Sequence, residues 1–252
     1  MNLVCSVEGP IGRITLDHPP LNILTRARLA ELRSALADLE ERPGLRVVVL
    51  AATGRHFSAG ADVGEHLPPT YAELIPEFMD TIERVAAFPL PVVAAVHGRC
   101  LGGGFELAMA ADLIVAGESA TFGQPEIALG VTAPAACVLL PRRGFPGPAA
   151  ELLFTGDPLS AAGARAGGFV QHVVPDDRVE FDALGLAGRI ARHSAAALKA
   201  TKRAIAAARG LDRADALRMT GRLYVEELMR TEDAAEGLAA FVARRPAEWK
   251  DR

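Results

Sequence analysis

Two carboxylates in this sequence lie close to turns of small residues, where they could transfer protons. A single phenylalanine separates Glu106 from the glycine triplet at 102–104, within the apolar stretch HGRCLGGGFELAMAADLIVA (97–116). Glu126 lies in the segment FGQPEIALG (122–130). Two such groups in apolar surroundings could hold a water molecule between them and exchange protons, as general acid–base catalysis requires.

The glycine triplet could supply a second chemical function. Glycine lets the backbone approach a ligand closely or adopt a positive φ. Three glycines directly before a helix would expose backbone N–H groups at its positive end, where they could stabilise a developing oxyanion. Another small-residue turn, HFSAGAD (56–62), could aim a further N–H at the same oxygen. Two N–H groups on one carbonyl oxygen would polarise it toward an enolate.

Each of these features also has a structural explanation. The triplet could serve the close packing of a helix on a strand, and a glutamate in a first helical turn can simply complement the helix dipole. Glu126 could be a solvated loop carboxylate. Nucleotide-binding motifs do not fit, because Leu107 stands at the last glycine of G-x-G-x-x-G and no Gly-Lys-Ser/Thr follows. The conjunction of two turns and two carboxylates favours catalysis.

Composition narrows the class of protein. The net charge of -4 and the pI of about 5.9 lack the basic footprint of a nucleic-acid binder. Three distant cysteines and the absence of a signal peptide or an apolar run of ~18 residues predict a cytoplasmic protein without disulfides or membrane partners. Four potential metal ligands flank the second turn without any usual zinc spacing, so no metal site is predicted; these are His56, Asp62, Glu65 and His66.

Alternating strand and helix patterns surround these turns. Leucines at 29, 32, 36 and 39 predict an amphipathic helix. Buried strands are predicted in LRVVVLAAT, LPVVAAVHG and DLIVAG, with the helix TYAELIPEFMDTIERVAAF between the first two. This order predicts an α/β layered domain with binding loops after its strands. We expect an α/β core over 1–175, and over 176–252 a helical region packed on the core or on a neighbouring subunit.

Assembled, these segments resemble the enoyl-CoA hydratase/isomerase (crotonase) family. The resemblance covers nearly the whole chain and rests on HFSAGADV, GRCLGGGFELAMAADLIVAG, ATFGQPEIALG, ELLFTGDPLSAAGARAGGFVQHVVP and EGLAAFVARRPAEW. It implies a crotonase-like spiral of ββα units followed by helices, assembled as a trimer or a dimer of trimers. It also implies an acyl-CoA substrate and no cofactor, since coenzyme A is part of that substrate.

The family's site residues carry over position by position. The resemblance implies that the oxyanion donors are the backbone N–H groups of Ala61 and Gly103. Glu106 and Glu126 match the two carboxylates that hold the water added to the β-carbon, with Glu126 protonating the α-carbon. Family members that lack one or both of these carboxylates are often isomerases, dehalogenases or decarboxylases. Because this sequence has both carboxylates, the resemblance favours a hydro-lyase. Contacts with the CoA thioester are implied for Ala59, Ala61, Asp62 and Val63.

The sequence departs from the family in two places. Gly64 stands where many members have a basic residue for a CoA phosphate, so Arg55, His66 or a C-terminal basic side chain is expected to replace it. VTAPAACVLLPRR (131–143) replaces a Gly-Gly-Thr-Gln-Arg type segment at the acyl end of the pocket. With HPPLNILT and ADVGEH, it resembles the branch that hydrates cyclohexa-1,5-dienecarbonyl-CoA. Two alternatives stay open: a double-bond isomerase of the same family, and a non-catalytic relative that binds CoA or RNA.

Overall fold

A computed structural model describes residues 3–251, which form two β-sheets and a set of surrounding helices. The strands are β1 (Leu3–Glu8), β2 (Ile11–Leu16), β3 (Val47–Ala52), β4 (Val92–Val96), β5 (Arg99–Leu101), β6 (Leu113–Gly117), β7 (Thr121–Gly123), β8 (Leu159–Ser160) and β9 (His172–Val174). The larger sheet has the order β1-β2-β3-β4-β6-β9, and the smaller sheet has the order β5-β7-β8.

The helices of the described residues follow the strands in the order expected of an α/β protein. They are α1 (Arg26–Glu40), α2 (Tyr71–Ala86), α3 (Gly103–Ala110), α4 (Ala136–Arg143), α5 (Pro146–Thr155), α6 (Ala161–Ala166), α7 (Val179–Ile190), α8 (Ala195–Gly210), α9 (Arg213–Arg222) and α10 (Glu232–Val242). Short 3₁₀ turns include Gly64–His66 and Pro125–Leu129. Among residues 3–251, no helix has the length and apolar character that crossing a membrane requires.

The larger sheet is parallel except for its first pair. β1 and β2 are antiparallel, whereas β2, β3, β4, β6 and β9 pair in parallel with their neighbours. β5 follows β4 and β7 follows β6, and both of these short strands belong to the smaller sheet, so the chain alternates between the two sheets. The turn at 56–62 follows β3 of the larger sheet, whereas the glycine triplet follows β5 and the segment 122–130 runs on from β7, and these two strands are parallel neighbours in the smaller sheet. A parallel bridge between Ser58 and Cys100 joins the first turn to β5.

Both faces of the central strands β3, β4 and β6 are covered, which explains why these strands are apolar on both sides. The four predicted leucines of α1 are buried, and they pack with α2, α3 and one face of the sheet. On the other face, Val47, Val93 and Val115 pack against Val179 and Ala183 of α7. The predicted α/β architecture is confirmed, and α7 completes its outer layer. The division into two regions at residue 175 stays a prediction.

A half-buried ion pair joins α8 to the sheet. Lys202 Nζ lies 2.7 Å from Asp112 Oδ2 and donates to the carbonyl oxygen of Leu90 at 3.1 Å. The same oxygen, Asp112 Oδ2, also accepts a hydrogen bond of 2.8 Å from the Val92 N–H, which ties it to the backbone of β4. Asp112 is therefore a packing residue at the start of β6.

Candidate active site

Helix α3 is buried along its whole length, and the glycine triplet makes this possible. Gly102 caps its start with a φ of 50°, in the region that favours glycine. A β-carbon on Gly104 would lie 2.6 Å from Ser58 Cβ and 2.7 Å from the Ser58 carbonyl oxygen. The absence of side chains in the triplet therefore lets the turn at 56–62 press directly against the first turn of α3.

The two predicted N–H donors lie on these facing backbones. The nitrogen of Ala61 is 3.1 Å from the position that a β-carbon on Gly103 would occupy. Gly103 is the first residue of α3, so its N–H has no acceptor within the helix. On the other backbone, the Leu24 N–H donates to the Gly60 carbonyl oxygen at 2.9 Å, and the Leu24 carbonyl oxygen accepts from the Asp62 N–H at 3.1 Å. These two bonds flank Ala61 and leave its N–H unused. No protein hydrogen bond within residues 3–251 uses the N–H of Ala61 or of Gly103.

Glu106 is buried, with 3 % of its surface exposed. Its Oε1 accepts a hydrogen bond of 2.8 Å from the Ala136 N–H, at the beginning of α4. Burial raises the pKa of Glu106 to about 7, and the charge of Glu126 adds to the rise, while the backbone N–H groups of Ala136 and Ala135 oppose it. Near neutral pH this carboxyl group can therefore both accept and release a proton.

Glu126 lies on the 3₁₀ turn after β7 and reaches back to the start of α3. A β-carbon on Gly102 would lie 2.5 Å from Glu126 Oε1, so the glycine leaves room for this carboxylate. Its Oε2 is buried and has no hydrogen-bond partner among the described residues. Burial raises the pKa of Glu126, opposed by its own backbone N–H and by the charge of His66. The structure thus brings both predicted carboxylates to the glycine turn.

The remaining predicted contact residues lie along the turn that follows β3. Ala59 is half-buried and donates to the Leu21 carbonyl oxygen at 2.8 Å. Asp62 Oδ1 accepts from the Glu65 N–H at 3.0 Å, so this carboxylate caps a 3₁₀ turn. Val63 is exposed. Contacts of Ala59, Ala61, Asp62 and Val63 with a substrate remain predictions.

Sequence reasoning missed Asn22, which holds that turn in place. Its side chain is buried and donates to the carbonyl oxygens of Thr53 and His56 at 2.9 and 2.8 Å. Its Oδ1 accepts from the His18 N–H at 2.8 Å. Asn22 has a φ of 48°, which asparagine tolerates better than most residues. An asparagine two residues after a Pro-Pro pair was the signal that could have revealed it.

A second missed residue is Gln124, directly before the turn that carries Glu126. It is 1 % exposed, and neither its Nε2 nor its Oε1 has a partner among the described residues. A buried polar group without a partner costs roughly 1–3 kcal/mol, so such groups gather where water or a ligand completes the site. No spacing in the sequence distinguishes this glutamine.

Potential metal ligands do not gather around these residues. Within residues 3–251, no three His, Cys, Asp or Glu side chains come together as a metal site would need. Of the residues expected to contact CoA phosphate, His66 lies near Glu126, as its effect on that pKa shows. Arg55 lines a separate cleft at the carboxyl edge of the larger sheet.

Comparisons with known proteins agree over the whole chain. A family model described as enoyl-CoA hydratase/isomerase matches residues 6–252. Cyclohexa-1,5-dienecarbonyl-CoA hydratase of Thauera aromatica is 38% identical over 249 residues, covering 97% of this chain and 95% of the relative. A probable enoyl-CoA hydratase of Rhizobium meliloti is 40% identical, covering 99% and 98%. The crystal structure of enoyl-CoA hydratase from Bacillus anthracis matches with a TM-score of 0.95 and 34% identity over 100% of both chains.

Proposed function

Because the chain belongs to the enoyl-CoA hydratase/isomerase family, we propose that it adds water across the conjugated double bond of an unsaturated acyl-CoA thioester. One observation carries the proposal. A buried carboxyl group whose pKa is about 7, Glu106, lies beside a second carboxylate, Glu126, at the turn where the N–H groups of Ala61 and Gly103 have no protein acceptor. Acid–base groups and oxyanion donors are the two requirements of conjugate water addition.

In the proposed mechanism, the thioester oxygen accepts hydrogen bonds from the Ala61 and Gly103 N–H groups. These donors draw electron density onto the oxygen, which makes the β-carbon electrophilic and stabilises the enolate. Glu106 takes a proton from the water molecule as its oxygen attacks the β-carbon, and Glu126 gives a proton to the α-carbon. Both carboxyl pKa values are raised by burial, so the pair can hold one proton near neutral pH. Water addition involves no net oxidation or reduction of the substrate, and the proposal includes neither a metal nor a redox cofactor.

Replacement of each carboxylate tests this mechanism. Glu106→Gln and Glu126→Gln should each lower kcat by about 10²–10⁴-fold, the usual contribution of general acid–base catalysis. Binding of the CoA ester should persist, because the amides and the pocket remain. Glu151→Gln, on the exposed surface of α5, is the matched control and should retain full turnover. Turnover within two-fold of the unmodified protein in both site variants would eliminate the mechanism.

The product distinguishes hydration from double-bond isomerisation. Loss of the conjugated thioester absorbance should be accompanied by a 3-hydroxyacyl or ring-hydroxylated CoA ester, with oxygen taken from labelled water. A product of unchanged mass with a displaced double bond would assign the isomerase reaction instead.

For the acyl group, we propose a cyclic dienoyl-CoA. Support comes from the segment before and at the start of α4, where Ala133, Ala135 and Ala136 are buried small residues. The backbone N–H groups of Ala135 and Ala136 face the carboxylate of Glu106. Small side chains here would leave width for a ring. The similarity to the Thauera aromatica cyclohexa-1,5-dienecarbonyl-CoA hydratase supports the same choice.

A panel of straight-chain, branched, aryl and cyclic unsaturated CoA esters tests the acyl proposal. We expect kcat/KM to be highest for cyclohexa-1,5-dienecarbonyl-CoA. A higher value for crotonyl-CoA would assign a straight-chain substrate while leaving the hydration mechanism intact.

We also propose that the chain forms a homo-oligomer. Support comes from the C-terminal helices, which expose large apolar side chains: Leu217, Tyr224, Val225, Phe241 and Val242. Sedimentation equilibrium should give the mass of a trimer or a hexamer, and a monomer at micromolar concentration would contradict this assembly.

A further inference from the structure

A second concave site lies at the carboxyl edge of the larger sheet, where ligands commonly bind in open α/β folds. Its volume is about 430 Å³. Arg55, His56, His97 and Ser119 line it from the loops after β3, β4 and β6, and Arg99 and Thr121 line it from the first positions of β5 and β7. None of these residues takes part in the hydration mechanism proposed above.

Two arginines give this cleft its charge. Arg55 and Arg99 are both exposed, and neither guanidinium makes an ion pair or hydrogen bond with another described residue. The hydroxyl groups of Ser119 and Thr121 likewise have no hydrogen-bond partner within residues 3–251. Each guanidinium offers five N–H donors, and each hydroxyl offers one. The cleft is thus rich in uncommitted donors.

Hydrogen bonds to the two histidines define their neutral tautomers. His56 Nδ1 accepts a hydrogen bond of 3.1 Å from the Arg99 backbone N–H, so the neutral ring carries its own proton on Nε2. His97 Nε2 lies 3.0 Å from the Gly54 carbonyl oxygen and donates to it. Burial lowers the pKa of His56, and the positive charges of Arg99 and Arg55 lower it further.

One carboxylate opposes this charge. Asp176 also lines the cleft, and its Oδ1 is occupied by the Ser119 N–H at 3.0 Å. The two guanidinium groups carry two positive charges, which exceed the single negative charge of Asp176. Together with the two hydroxyl groups, they also offer more hydrogen-bond donors than the lone pairs of one carboxylate ligand could accept. A phosphate group presents more oxygens and more charge, and arginine binds it bidentately.

We propose that this cleft is a phosphate-binding site, with Arg55 and Arg99 as its charged donors and Ser119 and Thr121 as neutral donors. The phosphate could belong to the coenzyme A of the substrate or to a separate phosphorylated compound. Ala61 is the fifth residue after His56, so their Cα atoms are at most about 18 Å apart. A long substrate could span that distance, whereas a small phosphorylated compound would occupy the cleft alone.

Calorimetric titration with inorganic phosphate tests the proposal without any turnover, so its result is independent of the proposed hydratase activity. The unmodified protein should bind phosphate, and Arg99→Ala should weaken binding about ten-fold, as expected for loss of a hydrogen bond to a charged group. The double variant Arg55→Ala/Arg99→Ala should show no binding. Arg165→Ala, on the surface of α6, is the control and should bind as the unmodified protein does.

Unaltered phosphate affinity in the folded double variant, or no binding by the unmodified protein, would overturn the proposal. Thermal melting checks that each variant is folded. A second measurement identifies the source of the phosphate by comparing KM for an enoyl-CoA with KM for its 3′-dephospho form. If Arg99→Ala raises KM for the enoyl-CoA but not for its 3′-dephospho form, the cleft binds the 3′-phosphate of the substrate. If Arg99→Ala weakens phosphate binding but leaves KM unchanged for both esters, the cleft binds a separate phosphorylated ligand.

Discussion

Gly104→Ala should separate the two backbones that carry the proposed oxyanion donors. The new β-carbon would lie 2.6 Å from Ser58 Cβ and 2.7 Å from the Ser58 carbonyl oxygen. Carbon atoms in contact prefer a separation of about 3.5–4.0 Å, so the turn at 56–62 must move away from α3 by about 1 Å. Ala61 lies on that turn, while Gly103 belongs to α3, and the shift would therefore pull one N–H donor away from the other.

A misplacement of about 1 Å can cost about 10²-fold in rate, and we expect kcat for hydration to fall by that factor. The added methyl group should also lower the free energy of unfolding by about 1–3 kcal/mol, the usual cost of overpacking a core. Binding should suffer less than turnover, because the donors matter most when the enolate forms.

The assay is hydration kinetics with the best ester of the panel, combined with urea unfolding to correct for folded protein. Gly185→Ala is the matched control, since a β-carbon there meets no atom within 4 Å and the residue lies inside α7. This control should retain activity and gain about 0.5–1 kcal/mol in stability from helix propensity. A folded Gly104→Ala protein with kcat within two-fold of the unmodified protein would refute the role given to these facing backbones.

Two further predictions concern stability. Burial holds the pKa of Glu106 at about 7 rather than 4.5, so the folded protein binds this proton more tightly and loses about 3 kcal/mol of stability as pH rises from about 4.5 to 7. Urea unfolding at pH 5 and pH 8 should show a larger loss for the unmodified protein than for Glu106→Gln, and equal losses would contradict this. Lys202→Met should cost about 1.5–3 kcal/mol because it removes a charged hydrogen-bond donor from the half-buried Asp112, which keeps only the nearby charge of Arg143. Lys199→Met on the same helix, whose side chain is exposed, is the control, and equal costs for the two variants would exclude this role of the ion pair.

Local patterns were sufficient for most of the secondary structure. The leucines of α1 recur at helical spacing and are buried, and the β-branched runs of β3 and β4 form central parallel strands. These patterns succeed because an element that buries a face must repeat apolar residues at its own period. The same logic placed Glu106 in the first turn of a helix after the glycine triplet, as the structure confirms.

Residues whose role depends on distant partners were not visible in those patterns. Asn22 bonds to backbone groups more than thirty residues away, and Gln124 stands out only because its buried amide has no partner among the described residues. The partner of Glu106, the Ala136 N–H, is likewise thirty residues distant. A side chain's burial and its hydrogen bonds are set by segments that meet in space, and short-range periodicity carries no record of them.

The amino-acid sequence alone therefore determined the elements, the small-residue turns and the types of chemical group beside them. Tertiary structure decided that the turns at 56–62, 102–104 and 122–130 converge, because the parallel strands β5 and β7 end side by side, Ser58 bridges to β5, and glycine permits the backbones to touch there. It also decided the acidity of Glu106, since a pKa depends on what surrounds a carboxyl group rather than on its neighbours along the chain.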